Sequence, residues 1–206
     1  MKIVYLSNSL VPSRSANSVH VMKMCQAFSD NGHEVVLVAK KNNKILTDSF
    51  EYYGMKPSFL IRHIPYSTIK VLGVMLYSWK AAREARRLKP DFIFGRNLYS
   101  LLLTSRLKIP VSYDSHAFPS NLIRRMAEIA LLKKKNFTQL MVISDALKAI
   151  YLDAFKFLDA KKIVVAHCAA DVPIPDHNEP IKLHVHEHDF NVGYVGHLYS
   201  GRGIDL

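Results

Sequence analysis

Short runs of consecutive apolar residues recur along this chain, each separated from the next by a segment of helical periodicity, and that alternation restricts the folds open to it. KIVYLS (2–7), HEVVLVAK (33–40), FLIRHI (59–64), DFIFG (91–95), IPVSYDS (109–115), QLMVIS (139–144) and KKIVVAH (161–167) read as strands. Near-continuous apolar runs of this length suit strands covered on both faces. Between the first two, residues 18–30 place Val21, Met24, Cys25 and Phe28 at i, i+3, i+4 and i+7, which is one apolar helical stripe. Asn17 or Ser18 is the candidate cap at its start, and Gly32 supplies a left-handed residue just past its end. Further helices are predicted over 68–88, stopping before Pro90, over 98–107, and over 120–135 with Leu122, Met126 and Ile129 on one side. Another runs from a cap at Ser144 or Asp145 to the neighbourhood of residue 155. Strands alternating with helices predict the α/β class, a doubly wound parallel sheet with ligands at the carboxyl ends of its strands.

The composition changes near the end. DVPIPDHNEPIKLHVHEHD (171–189) carries three prolines and little periodicity in its first half, and FNVGYVG (190–196) then opens a fresh strand. The expected organisation is a first domain over 1–171, a linker over 172–189 and the start of a second domain over 190–206.

Twenty-eight Lys and Arg against 17 Asp and Glu give a net charge of +11. The basic residues gather in KKNNK (40–44), WKAAREARRLKPD (79–91) and IRRMAEIALLKKKNF (123–137), each beside apolar positions. Solvated helix faces, an anionic membrane surface and phosphorylated small ligands all suit such segments. Nucleic acid is set aside as a partner, because no reader motif or aromatic-lined basic strand accompanies the charge. The longest apolar stretches, such as VLGVMLYSW (71–79), fall far short of the roughly 20 residues that span a bilayer. The amino terminus lacks the apolar region of a secretory signal. Cys25 and Cys168 lie far apart with no CxxC spacing, and read as buried, reduced thiols suited to the cytosol. The expected location is cytoplasmic, with peripheral attachment at the inner face of the membrane as an option.

The last residues, NVGYVGHLYSGRGIDL, place glycines at 193, 196, 201 and 203. This is not the dinucleotide fingerprint, and Arg202-Gly203 stands where a phosphate-binding P-loop carries Lys-Ser/Thr. A strand, a glycine turn and a helix start containing an arginine remain suited to a diphosphate on general grounds. His184, His186 and His188 would share one face of an extended segment. They lie in the linker without a carboxylate framework, so no metal site is assigned to them.

Five segments in order resemble the landmarks of one family. MKIVYLSN followed by SVHVMKMCQAFSDNGHEVVLVAK, then VSYDSHAFP, MVISDALKAIY, IVVAHCAADVP and VGYVGHLYSGRGIDL are similar to those of glycosyltransferase family 4, whose members have the GT-B fold. The resemblance spans essentially all 206 residues. It implies a Rossmann-like, doubly wound N-terminal domain on the acceptor side and a truncated opening of the domain that binds most of the sugar nucleotide. It further implies a retaining transferase that moves a sugar from a nucleoside-diphosphate donor to a lipid-linked or saccharide acceptor, in the making of a surface polysaccharide. No cofactor or metal is implied, and the sequence has no Asp-x-Asp motif. The family's E-x7-E pair belongs to the second domain and has no room after Leu206, so the isolated chain is expected to transfer sugar poorly.

By the same resemblance, His116 matches the histidine that faces the transferred sugar, and Asp114 holds the loop or orients His116. Loop 8–18 is where the family approaches donor diphosphate and acceptor. Arg14, Ser15 and Asn17 are candidate donors there, in place of paired glycines, while helix capping is the simpler role for Asn17 and Ser18. Gly196, His197 and Arg202 fall where relatives meet the diphosphate. Arg202 keeps the charge, and His197 departs from the usual arginine. Asp171 matches an aspartate near the hinge. A GT-B sugar-nucleotide epimerase and a non-catalytic membrane- or acceptor-binding module are the competing functions.

Overall fold

The computed structural model describes residues 1–67, 69–169 and 190, and Met1–Cys168 form one compact unit. Its strands are β1 (Lys2–Val11), β2 (Glu34–Lys41), β3 (Leu60–Ile64), β4 (Phe92–Gly95), β5 (Val111–Ser115), β6 (Phe137–Val142) and β7 (Ile163–Val165). They pair in parallel throughout, in the order β3-β2-β1-β4-β5-β6-β7. The helices are α1 (Ala16–Asp30), α2 (Ser49–Tyr52), α3 (Lys70–Leu88), α4 (Leu98–Thr104), α5 (Leu122–Leu132) and α6 (Asp145–Ala154), and a 3-10 turn at Ala160–Lys162 leads into β7. This is the Rossmann-like, doubly wound architecture expected. The chain winds outward from β1 to β3 and then restarts at β4, so the order reverses between β1 and β4. A crevice opens beyond the carboxyl ends of these two strands.

Alternate residues of each strand feed two cores. Val4, Leu6, Val36, Val38 and Ile93 meet Tyr77 and Ala81 of α3, Leu101 of α4, Leu131 of α5 and Tyr151 of α6. Ile3, Tyr5, Val35 and Leu37 face the other way, onto Val21, Met22 and Cys25 of α1 with Met55 and Phe59. The period of two sends neighbours to opposite faces, and burial on both faces explains the unbroken apolar runs.

Several boundaries differ from those read in the sequence. β1 continues to Val11 through residues that look like a loop. A register shift between Leu6 and Leu10 lets it rejoin β2, with Leu10 beside Lys40 and Val11 beside Lys41. Its polar residues are satisfied internally: the Ser9 amide donates to Ser7 Oγ at 3.0 Å, and the Tyr77 hydroxyl donates to the Ser7 carbonyl. α1 starts earlier than expected, and its cap is Ser15, whose Oγ accepts from the Ser18 amide at 3.2 Å. Ser18 instead donates to the carbonyls of Ser13 and Ser15. At the other end Gly32 takes φ +80°. The amides of Gly32 and His33 return to the carbonyls of Ser29 and Phe28, which closes the helix in a Schellman motif.

α2 is an additional short helix, capped by Asp48. α4 and α5 are shorter than predicted, β6 begins and ends two residues earlier, and β7 is only three residues long. The apolar side expected for α5 is only partly right, since Ile129 packs against the core but its two companions do not. Leu122 is 70% and Met126 62% exposed, while Glu128, Leu131 and Leu132 are buried. Cys25 is buried as expected, but Cys168 is exposed, because it follows β7 beyond the sheet. Among the described residues no helix is long and apolar enough to cross a membrane. Asp171, the linker with its three histidines, and the glycine turn with Gly196, His197 and Arg202 lie outside the described residues.

Gly95, at the end of β4, has a structural requirement of its own. A Cβ there would sit 2.2 Å from the Leu6 carbonyl oxygen, closer than any real contact. Gly95→Ala should therefore lower unfolding free energy by about 2–3 kcal/mol, read from urea denaturation. An unchanged midpoint would mean that β1 and β4 can separate without cost.

Candidate active site

At the carboxyl edge of the sheet, β5 ends in Asp114 and Ser115, and β4 ends in Gly95 followed by Arg96. Leu6 of β1 accepts hydrogen bonds from the amides of both Arg96 and Asn97, which locks the turn after β4 to the neighbouring strand. α1 contributes His20 from its first turns. These elements converge on the Asp114 carboxylate. His20 Nε2 lies 3.1 Å from it and His116 Nε2 3.2 Å, while Arg96 Nε stands 3.9 Å away. The two imidazoles meet edge to face, with ring centres 4.9 Å apart.

Asp114 is almost fully buried. Burial pushes its carboxyl upward, but hydrogen bonds from His116 and His20, with the charges of His116 and Arg96, outweigh that and hold it at about 2. It is a carboxylate at any physiological pH. A carboxylate accepts only, so each histidine faces it with a donating Nε2–H. In a neutral ring this leaves Nδ1 as an acceptor, available to a ligand hydroxyl. Asp114 thus fixes the orientation and tautomer of two rings at once.

The three ligand atoms of His20, Asp114 and His116 lie within 4.8 Å of one another, the one grouping of this kind among the described residues. Two imidazoles and a carboxylate are a donor set that transition metals accept. The Arg96 guanidinium beside the same carboxylate opposes a further positive charge, and the hydrogen bonds already account for the geometry.

Behind this cluster sits a second polar layer. Ser115 Oγ and the Tyr151 hydroxyl are 2.7 Å apart, and an Arg124 nitrogen donates to the Tyr113 hydroxyl at 3.5 Å. Glu128 is fully buried near these groups, and burial pushes its carboxyl upward against the nearby Tyr113 and Tyr151 hydroxyls and the charge of Arg124, while neither of its oxygens has a hydrogen-bond partner among the described residues.

Of the residues singled out in the sequence, the structure brings Asp114 and His116 together. Arg14 is exposed, and Ser15 is engaged as the cap of α1. Asn17 donates from Nδ2 to Ser9 Oγ and leaves its Oδ1 without a partner among the described residues. His20, Arg96 and Asn97 are additions from the structure. Arg96 and Asn97 directly follow a strand's carboxyl end, a position that is legible in the sequence. His20 could be found only by folding α1 back over β1.

Comparison with known proteins agrees with this architecture. The model of the family described as Glycosyltransferase Family 4 matches residues 18–172. No curated protein matches the sequence. Among solved structures, UDP-GlcNAc 2-epimerase from Methanocaldococcus jannaschii is similar at TM-score 0.57 and 15% identity, over 80% of this chain and 45% of that one. A glycosyltransferase from Rickettsia africae is similar at TM-score 0.55 and 16% identity, over 81% of this chain and 42% of that one. The Anabaena protein HepE, crystallised with UDP and glucose, is similar at TM-score 0.54 and 17% identity, over 83% of this chain and 45% of that one. The chain therefore spans less than half the length of these structures, and identities this low establish the shared fold alone.

The low position of Asp114 has a measurable consequence. Its carboxyl titrates at about 2 when folded against 3.8 ordinarily. The unfolded chain thus binds the proton more readily, and the stability Asp114 contributes is complete above about pH 5 and lost as pH falls toward 2. Asp114→Asn removes this linkage. The deficit of the variant should be about 2 kcal/mol larger at pH 7 than at pH 2 in urea unfolding. A deficit independent of pH would mean that the two histidines do not stabilise the charge.

Proposed function

The chain belongs to glycosyltransferase family 4, and from that membership we propose that the whole protein transfers a sugar from a nucleoside-diphosphate donor to a lipid-linked or saccharide acceptor, in the making of a surface polysaccharide. The observation that carries this reading is the buried Asp114 carboxylate, which holds His20 and His116 at the carboxyl edge where the strand order reverses. In a doubly wound sheet that edge is where ligands bind.

On this reading His116 meets the transferred sugar, Asp114 and His20 hold its ring, and Arg96 adds positive charge to the crevice. No metal or cofactor takes part. The anomeric configuration of the sugar is retained, as the family resemblance implies. Gly196, His197 and Arg202 approach the donor diphosphate, and Arg14, Ser15 and Asn17 supply donors in the loop that approaches the diphosphate and the acceptor. The protein is organised as a first domain over 1–171, a linker over 172–189 and a second domain that starts at 190. The protein works in the cytoplasm.

A second reading, a sugar-nucleotide epimerase, draws support from neighbours such as the Methanocaldococcus jannaschii UDP-GlcNAc 2-epimerase. The two differ in the need for an acceptor. The whole protein, incubated with UDP-sugars and other nucleoside-diphosphate sugars, should release nucleoside diphosphate only when acceptor is added. Conversion of the sugar nucleotide with no acceptor present would replace the transferase reading with the epimerase. His116→Ala should lower kcat about 100-fold with little change in donor Kd. An unchanged kcat would remove His116 from the site.

A further inference from the structure

A cavity of about 320 Å³ lies beside the cluster, at the small end of the range for ligand sites. Its walls come from β1, β2, α3, α4, the start of α5 and the turn after β4. β1 and β2 bring Asn8 and Lys40, the turn brings Arg96 and Asn97, α3 brings Val74 and Tyr77, and the start of α5 brings Arg124. The lining holds three cations and no carboxylate. Lys40 and Arg124 form no ion pair among the described residues, and Arg96 has only its 3.9 Å approach to Asp114. The Lys40 ammonium rests over the rings of Tyr77 and Tyr66, at 5.0 and 5.4 Å, and burial pushes its pKa down. Asn97 is 4% exposed, spends its Oδ1 on capping α4, and leaves Nδ2 without a partner among the described residues. Two cations without an ion pair, a third at the edge of one, and an unused buried donor around one void are complementary to an anion with several oxygens.

The rim has the opposite character. Val71, Leu72 and Met75 on α3 are all at least half exposed, and so are Leu122, Ile123 and Met126 on α5, where Ile123 reaches 74%. Both sets adjoin residues of the cavity wall: Val74 and Tyr77 on α3, Asn121 and Arg124 on α5. Single exposed apolar side chains need no explanation, whereas two apolar ridges flanking a cationic pocket describe a matching ligand. That ligand is anionic at one end and apolar at the other.

We propose that this cavity seats the phosphate-bearing headgroup of an anionic lipid, while the exposed apolar residues of α3 and α5 enter the apolar layer of the lipid surface. This narrows the acceptor side of the preceding section to phosphorylated lipids, and it rests on that reading only for the lipid being a substrate. Binding itself needs no donor and no turnover, so the two ideas fail separately. The surface takes in the start of the basic segment 123–137, through Arg124, and its apolar ridges lie toward the amino-terminal ends of α3 and α5.

The test is co-sedimentation of the 206-residue chain with vesicles of phosphatidylcholine alone or of equal parts phosphatidylcholine and phosphatidylglycerol. Binding should be at least about tenfold tighter to the anionic vesicles. Lys40→Gln and Arg124→Gln should each weaken it about fivefold. The exposed-site variants Leu72→Ser and Ile123→Ser should each weaken it about tenfold with an unchanged melting temperature. Lys134→Gln, beyond the far end of α5, should change it less than twofold. Equal binding to both vesicles, parental binding by the serine variants, or an equal loss from Lys134→Gln would each overturn the proposal. Complete displacement by millimolar inorganic phosphate would also overturn it, since the cavity would then take free phosphate rather than a lipid.

Discussion

Beside Gly95 the backbones of β4 and β1 approach so closely that no side chain fits between them, and the Leu6 carbonyl at that point accepts hydrogen bonds from both Arg96 and Asn97. That carbonyl, at the end of the ladder joining the two halves of the sheet, orients the first two residues beyond β4. Arg96 turns toward Asp114, and Asn97 caps α4. The reversal of strand order would open a crevice in any sequence of this topology. The close approach at Gly95 decides which side chains stand in it. A larger residue would push β4 outward and move the guanidinium away from the carboxylate.

The electrostatics of the crevice follow from placing one buried carboxylate among several cations. Burying a charge is costly unless it is paired and hydrogen-bonded. Asp114 meets that condition through two imidazoles and, at longer range, Arg96. Its charge is spent on orienting the histidines. Lys40 and Arg124 lie away from it, and the cavity between them keeps a positive potential. An electronegative ligand therefore finds fixed donors already in place on two sides, with no reorganisation needed when it enters.

How much of this was legible in the sequence depended on where each polar group finds its partner. The strands were legible because burial on both faces demands unbroken apolar runs, and α1 was legible through Val21, Cys25 and Phe28. The second half of β1 was not, because Ser7 and Ser9 look like loop residues until the Tyr77 hydroxyl and an internal serine contact are known. The cap of α1 was misplaced for the same reason: serines stand at 13, 15 and 18, and only the backbone geometry decides which accepts and which donates. Asp114 and His116 could be singled out from their positions at the end of a strand and just past it. His20 is 94 residues from its partner Asp114, and Lys40 reaches the crevice only because β1 pairs with β2 again after its register shift. Local pattern carries no information about contacts at that separation.

α5 shows why periodicity alone misleads near a binding surface. Its apolar residues Leu122 and Met126 face outward, and the buried position one turn on is occupied by Glu128. A helix arranged only for stability would reverse these roles, since an exposed leucine forgoes about 1.5–3 kcal/mol of burial and a buried carboxyl must be held by neighbours. Here Tyr113, Tyr151 and Arg124 surround Glu128 and push and pull on its charge. The same Arg124 lines the cationic cavity. The inverted helix thus supports a polar layer behind the crevice from one side and presents an apolar ridge beside it from the other. Arg124 lies in the first turn of α5, and Glu128 follows one turn further on.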